Sequence, residues 1–376
     1  MSEGHSTTRP PCAARFRLQE GGLLLVILLL GALLTGFGGT VKLPKFQLNA
    51  QGERERVFLD KDGERVPQFE AKNKFLNAQN LAQLAKDTSF IAIMAVGATF
   101  IIVSGGIDLS VGAIYALASV LGALVFHAYG PNGLHAGSPA LGAALGMLTC
   151  VGSATLCGLA NGGMVVALRV HPFIITLGTM AIYRGLAFVI TKGQSIGEFP
   201  APFRQFVQWE TTGGLTLVPL AVMVLVAFVG WTYLARTVTG RHLYAVGGNE
   251  LASRYSGIRV ERVKLRVFLY SGLTAGIAAL LALGYYGSAS SGDGSGYELD
   301  VIAAAVVGGA SLRGGKGTAL GALLGALIIK LIDNGIVILG IDQNYSRIII
   351  GVAVILAVVL DQLNTWLTKR RLENAP

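Results

Sequence analysis

The sequence predicts an all-α membrane protein of about ten transmembrane helices, with both termini in the cytoplasm and one helix broken or re-entrant. Three observations predict this fold class. The chain of 376 residues is 52% hydrophobic and 14% charged, with a mean hydropathy of +0.60, whereas soluble domains are about 25% charged. Apolar runs long enough to cross a bilayer recur along the chain. Glycines recur at four-residue spacing, as at Gly317, Gly321 and Gly325, which lets membrane helices approach closely. Residues 1–376 are therefore expected to form a single transmembrane domain.

The first span is predicted from the apolar run 22–38, which follows a polar stretch containing three arginines. No clear small-residue cleavage site follows this run, so we interpret it as an uncleaved helix rather than a signal peptide. Residues 40–87 are polar and carry charges of both signs, which predicts an extracytoplasmic loop between the first two spans. Within it, residues 75–86 have apolar residues at helical spacing and are expected to lie along the membrane interface.

Nine further spans are predicted from apolar stretches bounded by glycine, proline or charged residues. They are 88–104, 111–130, 139–161, 172–191, 215–235, 267–287, 299–312, 318–339 and 348–367. The stretch 299–312 is short for a hydrocarbon core of about 30 Å, so a tilted, thinned or re-entrant helix is expected there.

The distribution of charge orients these spans, because cytoplasmic loops carry an excess of Lys and Arg. The loop 236–266 has seven basic and two acidic residues, and the tail contains Lys369, Arg370 and Arg371. On the other side, 192–214 has two residues of each sign and 288–300 has three acidic residues. This pattern predicts an even number of spans with both termini cytoplasmic.

Several kinds of chemistry are disfavoured by the motifs. The net charge of +9 lies in short loops rather than on a basic face interleaved with aromatic residues, so nucleic-acid binding is not expected. The stretch LRGGKGT resembles a phosphate-binding loop, but Ala310 and Gly317 stand where that motif needs Gly and Ser or Thr. The five histidines show no metal-ligand spacing, no G-x-S-x-G motif is present, and Cys150 and Cys157 are expected in the apolar core. We therefore expect no enzyme activity, no metal and no cofactor.

One aspartate stands out within the apolar stretches. Residues 104–113 read SGGIDLSVGA and hold the only formal charge between Asp87 and Arg169. The predicted topology places this segment at or just inside the cytoplasmic end of the second span, where Asp108 and Ser110 can cap the next helix by accepting its free N–H groups. Contact with a solute or a gate is the alternative. Residues 105–109 also resemble 308–312, and an internal repeat is one interpretation.

Two further charged positions lie within predicted spans. Lys330 and Asp333 are three residues apart on one helix, and we expect them to pair because neither charge is tolerated alone in hydrocarbon. Arg184 lies about twelve residues after Pro172. It is expected to face the protein interior and to bind backbone carbonyls or hydroxyls, the alternative being contact with the outer headgroups.

The longest cytoplasmic loop contains the stretch GRHLYAVGGNELASRYSG at 240–257. Glycines bracket a short amphipathic helix, and arginines flank it. A docking surface for a soluble partner and an ordinary charged loop both fit these residues.

Four segments resemble one family in the correct order. The segments 93–117, 171–196, 240–258 and 296–328 are similar to ABC-importer permeases for monosaccharides, of the ribose, xylose and galactoside type. The resemblance extends over about 75–361. It implies a homodimeric permease of the bacterial inner membrane, two cytoplasmic ATPase subunits and a periplasmic sugar-binding protein. The long loop 41–74 and Asp293, where several relatives have proline, depart from the family pattern on the outer side.

The resemblance also implies roles for particular residues. Coupling to the ATPase is expected in the loop 236–266, at Arg241, Tyr244, Ala245, Gly247, Gly248, Asn249, Glu250, Ser256 and Gly257. The translocation path or gate is expected at Asp108, Ser110, Asn161, Thr176, Arg184 and Glu298. The alternatives are an ion-coupled carrier or channel for a small polar solute and a membrane scaffold or receptor. Ion-coupled carriers usually need buried acidic residues, which the spans between 88 and 299 almost lack.

Overall fold

A computed structural model describes residues 18–48, 54–61, 64–211, 214–353, 355–356 and 358–359. The stretch before residue 18 and the basic tail with Lys369, Arg370 and Arg371 lie outside these residues. The cytoplasmic position of both termini therefore stays a prediction.

The described residues are mostly helical. The helices are α1 (Leu18–Phe37), α2 (Ala78–Val103), α3 (Val111–Ala128), α4 (Pro139–Leu168), α5 (Pro172–Thr191), α6 (Ala201–Val207), α7 (Leu217–Arg236), α8 (Val238–Gly248), α9 (Glu250–Tyr255), α10 (Val260–Tyr286), α11 (Tyr297–Val307) and α12 (Ala319–Ile338). Residues 345–353 are also helical.

Eight of these helices are long and apolar enough to cross a membrane: α1, α2, α3, α4, α5, α7, α10 and α12. They confirm the predicted class of an all-α polytopic membrane protein. The predicted span 299–312 is α11, whose 11 residues extend only about 16 Å and cannot cross a core of about 30 Å. The predicted span 348–367 begins in the helical residues 345–353 and continues outside the described part of the chain.

The charged stretch after α1 forms β-structure. The strands are β1 (Thr40–Pro44), β2 (Phe46–Leu48), β3 (Arg54–Arg56), β4 (Phe58–Lys61), β5 (Glu64–Pro67) and β6 (Phe69–Asn73), and the antiparallel pairs are β1 with β6, β2 with β3, and β4 with β5. The three pairs meet at Lys45, Val57 and Gln68, each of which donates its backbone N–H to a carbonyl of another. This cycle of hydrogen bonds satisfies the backbone where the pairs diverge.

The helix α2 is longer than predicted, and the expected break between an interfacial helix and a span is wrong. The side chain of Asn77 caps α2 by accepting from the N–H of Asn80 at 2.9 Å, and the helix then continues to Val103. Lys86 is only 2% exposed, with its Nζ 4.0 Å from the Tyr285 ring centroid and 3.4 Å from the Asp87 carboxylate. These partners stabilise a buried ammonium, so the helix continues past this charge.

The helices α4 and α10 pack along one another through glycines. A Cβ atom at Gly158 would lie 2.3 Å from the Phe268 carbonyl oxygen, and one at Gly272 would lie 2.4 Å from the Ala154 carbonyl oxygen. Only residues without a side chain permit this approach, as the four-residue glycine spacing predicts.

The bundle has two distinguishable ends. The helices α8 and α9 lie at one end, where α8 follows α7 and contacts the last residue of α2. The short strands β7 (Ile196–Gly197) and β8 (Ser288–Ala289) pair at the other end, where α5 and α10 finish. We refer to these as the α8–α9 end and the β7–β8 end.

The ends of α2 and α11 share one backbone motif. The N–H groups of Gly105 and Gly106 bond back to the last turn of α2, and those of Gly309 and Ala310 bond back to the last turn of α11 in the same pattern. Gly105 and Gly309 have φ values of +84° and +94°, which glycine adopts readily. The resemblance between 105–109 and 308–312 thus reflects a shared helix end, and the structural register differs by one residue from the predicted alignment.

Candidate translocation path and docking helices

Asp108 lies inside the bundle and is 3% exposed. One carboxylate oxygen accepts from the backbone N–H and the hydroxyl of Ser110, at 2.8 and 2.6 Å, and the other accepts from the hydroxyl of Ser271 at 3.0 Å. Ser271 lies roughly 17 Å along α10 from its first residue, at 1.5 Å per residue. The segment 104–110 therefore re-enters the bundle from the α8–α9 end and carries Asp108 toward its middle.

The prediction that Asp108 and Ser110 cap α3 is wrong, whereas the location of Asp108 at or just inside the cytoplasmic end of the span stays a prediction. Among the described residues, the side chain of Ser110 makes no cap hydrogen bond, although Ser110 is the N-cap residue of α3. Asp108 instead binds Ser110 itself and joins it to α10. Three hydrogen bonds satisfy the carboxylate, which is what allows it to be buried.

The helices α4 and α5 extend this polar network. The amide of Asn161 donates to the Ser110 hydroxyl at 2.8 Å, and its oxygen accepts from the Tyr183 hydroxyl at 3.2 Å. The hydroxyl of Thr176 accepts from the backbone N–H of Leu109 at 3.1 Å. Four of the predicted path residues, Asp108, Ser110, Asn161 and Thr176, are thus brought together around one re-entrant segment.

Arg184 on α5 forms hydrogen bonds with a second non-helical segment, residues 290–296. Its Nη1 donates to the backbone carbonyl of Ser291 at 2.9 Å and to that of Asp293. The prediction that Arg184 faces the interior and binds backbone carbonyls is confirmed. Both carbonyls belong to the segment 290–296 between β8 and α11, so α5 fixes the position of that segment.

Glu298 lies in the first turn of α11 and contacts the first turn of α3. A Cβ atom at Gly112 would lie 2.5 Å from Oε2 of Glu298. This oxygen is buried and has no hydrogen-bond partner among the described residues. Glu298 is therefore near the Asp108 segment but makes no hydrogen bond with it.

A repeat that our sequence analysis missed relates Asp108 to Glu298. Residues 106–113 read GIDLSVGA and residues 296–303 read GYELDVIA, which aligns the two acidic residues. The first stretch leads into α3, which runs toward the β7–β8 end, and the second leads into α11, which runs toward the α8–α9 end. Similar segments of opposite direction are the mark of inverted repeats in transporters. The similarity between these two segments was visible in the sequence itself.

The helix α8 is fixed to the rest of the bundle by two of the predicted coupling residues. The hydroxyl of Tyr244 donates to the Gly317 carbonyl at 2.6 Å. A Cβ atom at Gly247 would lie 1.7 Å from the Val103 carbonyl oxygen and 2.6 Å from the Gly315 nitrogen. Both residues are half-buried and position α8 against the bundle, and their role in coupling stays a prediction.

Four further coupling residues shape α9 or join it to α10. Asn249 ends α8 and caps α9 by accepting from the N–H of Ala252 at 2.9 Å. The hydroxyl of Ser256 donates to the Ala252 carbonyl at 2.9 Å, and Gly257 ends the helix with a φ of +82°. Glu250 forms a 2.8 Å ion pair with Lys264, which joins α9 to α10.

The remaining coupling residues, Arg241, Ala245 and Gly248, are exposed. Next to them α9 exposes Leu251 by 61% and Tyr255 by 83%, two apolar positions that the sequence analysis missed although their i,i+4 spacing was visible. We call Arg241, Ala245, Gly248, Leu251 and Tyr255 the docking surface.

Comparison with known proteins identifies the family. The family model described as "Branched-chain amino acid transport system / permease component" matches residues 80–358. The ribose import permease protein of Escherichia coli strain K12 is 39% identical over 292 residues, which cover 76% of this chain and 87% of that protein. The D-allose transport system permease protein of the same strain is 38% identical over 289 residues, covering 77% and 85%.

A third relative is the autoinducer 2 import system permease protein of Yersinia pseudotuberculosis serotype O:3 strain YPIII. It is 32% identical over 318 residues, which cover 81% of this chain and 92% of that protein. No solved structure matches the chain. The family match spans the polar network and the docking surface, and the chain therefore belongs to this family of transport-system permease components as a multi-pass protein of the cytoplasmic membrane.

Proposed function

We propose that the protein is the transmembrane permease subunit of an ABC importer that moves a monosaccharide into the cytoplasm. Two cytoplasmic ATPase subunits energise it, a periplasmic sugar-binding protein delivers the sugar, and a second copy of the chain completes the membrane unit. The names of two relatives specify ribose and allose, both of which are monosaccharides. The segment 236–266 is the coupling loop. Of residues 40–87, the part before α2, residues 40–77, is an insertion on the extracytoplasmic side.

The docking surface is the observation that carries this proposal. Leu251 and Tyr255 are large exposed side chains one helical turn apart on a charged loop, an arrangement that suits a protein interface. Tyrosine is also enriched where protein interfaces concentrate their binding energy. A soluble ATPase at the α8–α9 end covers these two side chains.

The contacts of α8 link this surface to the transport path. Gly247 lies against Val103, the last residue of α2, and the segment that carries Asp108 follows directly. Tyr244 reaches Gly317, just before the start of α12. Because these contacts are direct, a displacement of α8 by the ATPase also displaces the end of α2 and the start of α12.

The ion-coupled alternative needs a carboxylate free to take up a cation or a proton. Asp108 is held by two hydroxyls and a backbone N–H, and Asp300 and Asp333 are both paired with Lys330. These three carboxylates are engaged by the protein itself, whereas Oε2 of Glu298 is buried without a hydrogen-bond partner among the described residues. The family match, rather than the state of the carboxylates, therefore favours the ATP-driven function.

Reconstitution in proteoliposomes tests the proposal. The permease is assembled with its ATPase and sugar-binding protein, and uptake of radiolabelled D-ribose and D-allose is measured with ATP on the ATPase side. Uptake that requires ATP hydrolysis supports the proposal, and an ATPase variant that binds but does not hydrolyse ATP is the control. Uptake by the permease alone under a proton or sodium gradient contradicts it.

A further inference from the structure

A polar cavity of about 350 Å³ lies between α3, the end of α10 and the segment that leads into α11. Its lining includes the side chains of Tyr115, Ser119, Tyr286, Ser290, Asp293 and Tyr297. Ser195, which directly precedes β7, and Ser288 of β8 also border it, so the cavity lies toward the β7–β8 end, opposite the docking surface.

The lining is unusual for the interior of a membrane bundle. Ser119 is 1% exposed on α3, between Ala118 and Val120, which are equally buried. Hydroxyl groups both donate and accept hydrogen bonds, and a carboxylate accepts them, so together they match the alternating donors and acceptors of a polyol. The tyrosine rings add flat apolar faces against which the C–H groups of a sugar ring can pack.

The size of the cavity restricts its ligand. Small-molecule pockets span about 300–1,000 Å³, and a cavity of about 350 Å³ lies near the lower limit. A single sugar ring fits this volume, and the lining of hydroxyl groups and aromatic rings suits a small neutral polyol. With the proposed function, the chemical class is a neutral monosaccharide.

The floor of the cavity is a contact between two glycines. A Cβ atom at Gly294 would lie 2.9 Å from the Gly112 carbonyl oxygen, and one at Gly112 would lie 2.5 Å from the Gly294 carbonyl oxygen. The φ of Gly294 is +65°, so this approach depends on glycine. Ser110 lies two residues before Gly112, and the Asp108 network therefore begins directly beneath the floor.

We propose that this cavity is a monosaccharide-binding site within the permease and that the Gly112–Gly294 contact closes it toward the cytoplasm. This inference rests on the proposed function. The site accepts the sugar at the β7–β8 end, and Arg184 holds its wall by binding the carbonyls of Ser291 and Asp293. Separation of the two glycines opens the route past Ser110 and Asp108.

Filling the cavity tests the inference in the reconstituted assembly. A phenylalanine in place of Ser119 occupies the space of the ring, so Ser119→Phe is expected to lower uptake of D-ribose or D-allose about tenfold or more. ATP hydrolysis stimulated by the sugar-binding protein is expected to stay near the wild-type rate, because Ser119 is remote from the docking surface. Wild-type uptake by Ser119→Phe overturns the inference.

A second variant covers the case in which Ser119→Phe fails to fold. Ser119→Cys is nearly isosteric, and it is modified after assembly with a bulky, membrane-impermeant thiol reagent. Modification should stop uptake, and the transported sugar should slow the modification. The matched control is Ser138→Cys, an exposed position at the start of α4 and outside the cavity, whose modification should leave uptake unchanged.

The outcomes separate this inference from the proposed function. If the wild-type assembly takes up sugar and modified Ser119→Cys does so equally well, the cavity is not the binding site although the importer function stands. If the wild-type assembly takes up neither these two sugars nor any other monosaccharide with ATP, the proposed function fails, and the inference fails with it.

Discussion

Gly247 on α8 lies directly against the carbonyl oxygen of Val103, the last residue of α2. The next residue, Gly248, has no heavy atom within 4 Å of the position a Cβ would occupy. Two adjacent glycines thus serve different purposes. The first fixes the distance between α8 and α2, and the second leaves the surface of α8 flat.

This difference predicts that the same substitution has a large effect on stability at Gly247 and little effect at Gly248. Gly247→Ala forces α8 away from Val103 and should destabilise the protein by about 1–3 kcal/mol through overpacking. Gly248→Ala is the matched control and should change stability by no more than about 0.5 kcal/mol. Thermal unfolding in detergent measures both. Equal melting temperatures for the two variants would contradict the close contact at Gly247.

Charges on the docking surface should uncouple ATP hydrolysis from uptake. Ala245 and Gly248 are exposed, so Ala245→Glu together with Gly248→Lys should leave expression and thermal stability unchanged. The introduced charges oppose the burial of the surface in a partner because they must be desolvated there. Uptake and ATP hydrolysis are measured on the assembled complex. Normal coupling in the double variant places the partner contact elsewhere.

Lys330 forms ion pairs with two aspartates, and the three residues make a triad. The Nζ of Lys330 lies 2.8 Å from Asp333, as the sequence predicted, and also 3.0 Å from Asp300 on α11. Lys330→Leu leaves two carboxylates without their cation and should cost about 3–5 kcal/mol, as for other buried pairs that lose one partner. Replacing all three residues by leucine should restore much of the stability, because no unpaired charge remains.

Melting temperatures of the single and triple variants in detergent check this expectation. The double variant Lys330→Leu with Asp333→Leu keeps only Asp300 and so leaves one unpaired carboxylate. Its melting temperature should lie between those of the single and triple variants. Equal losses in the single, double and triple variants would show that the triad does not act as a unit.

Arg184→Lys should slow uptake although it keeps the charge. The guanidinium presents its N–H groups in a fixed plane and reaches the carbonyls of Ser291 and Asp293, whereas a lysine ammonium is shorter and less directional. We expect uptake to fall about tenfold, which corresponds to about 1.4 kcal/mol in positioning the segment 290–296. Arg184→Leu should reduce uptake further, because it removes both the charge and the hydrogen bonds. Wild-type uptake by Arg184→Lys would indicate that only the charge is required.

The contacts that sequence reasoning could not find join residues far apart in the chain. Ser271 binds Asp108 across 163 positions, and Asp300 binds Lys330 across 30. Nothing near Asp108 indicates which helix supplies its partner. The continuity of α2 past Lys86 was missed for the same reason, since the rings of Tyr285 and Tyr286 that cover this lysine lie on α10.

The sequence by itself determined the membrane class, the presence and order of eight spans, the pairing of Lys330 with Asp333 and the inward orientation of Arg184. Each of these follows from the cost of placing polar or charged groups in hydrocarbon, which acts within a single helix or one helical turn. Only the tertiary structure decided that Asp108, Ser110, Asn161 and Thr176 meet around one re-entrant segment, and that Gly112 touches Gly294. Those contacts depend on how helices pack against one another, and side-chain packing between distant segments is not encoded in the periodicity of any one of them.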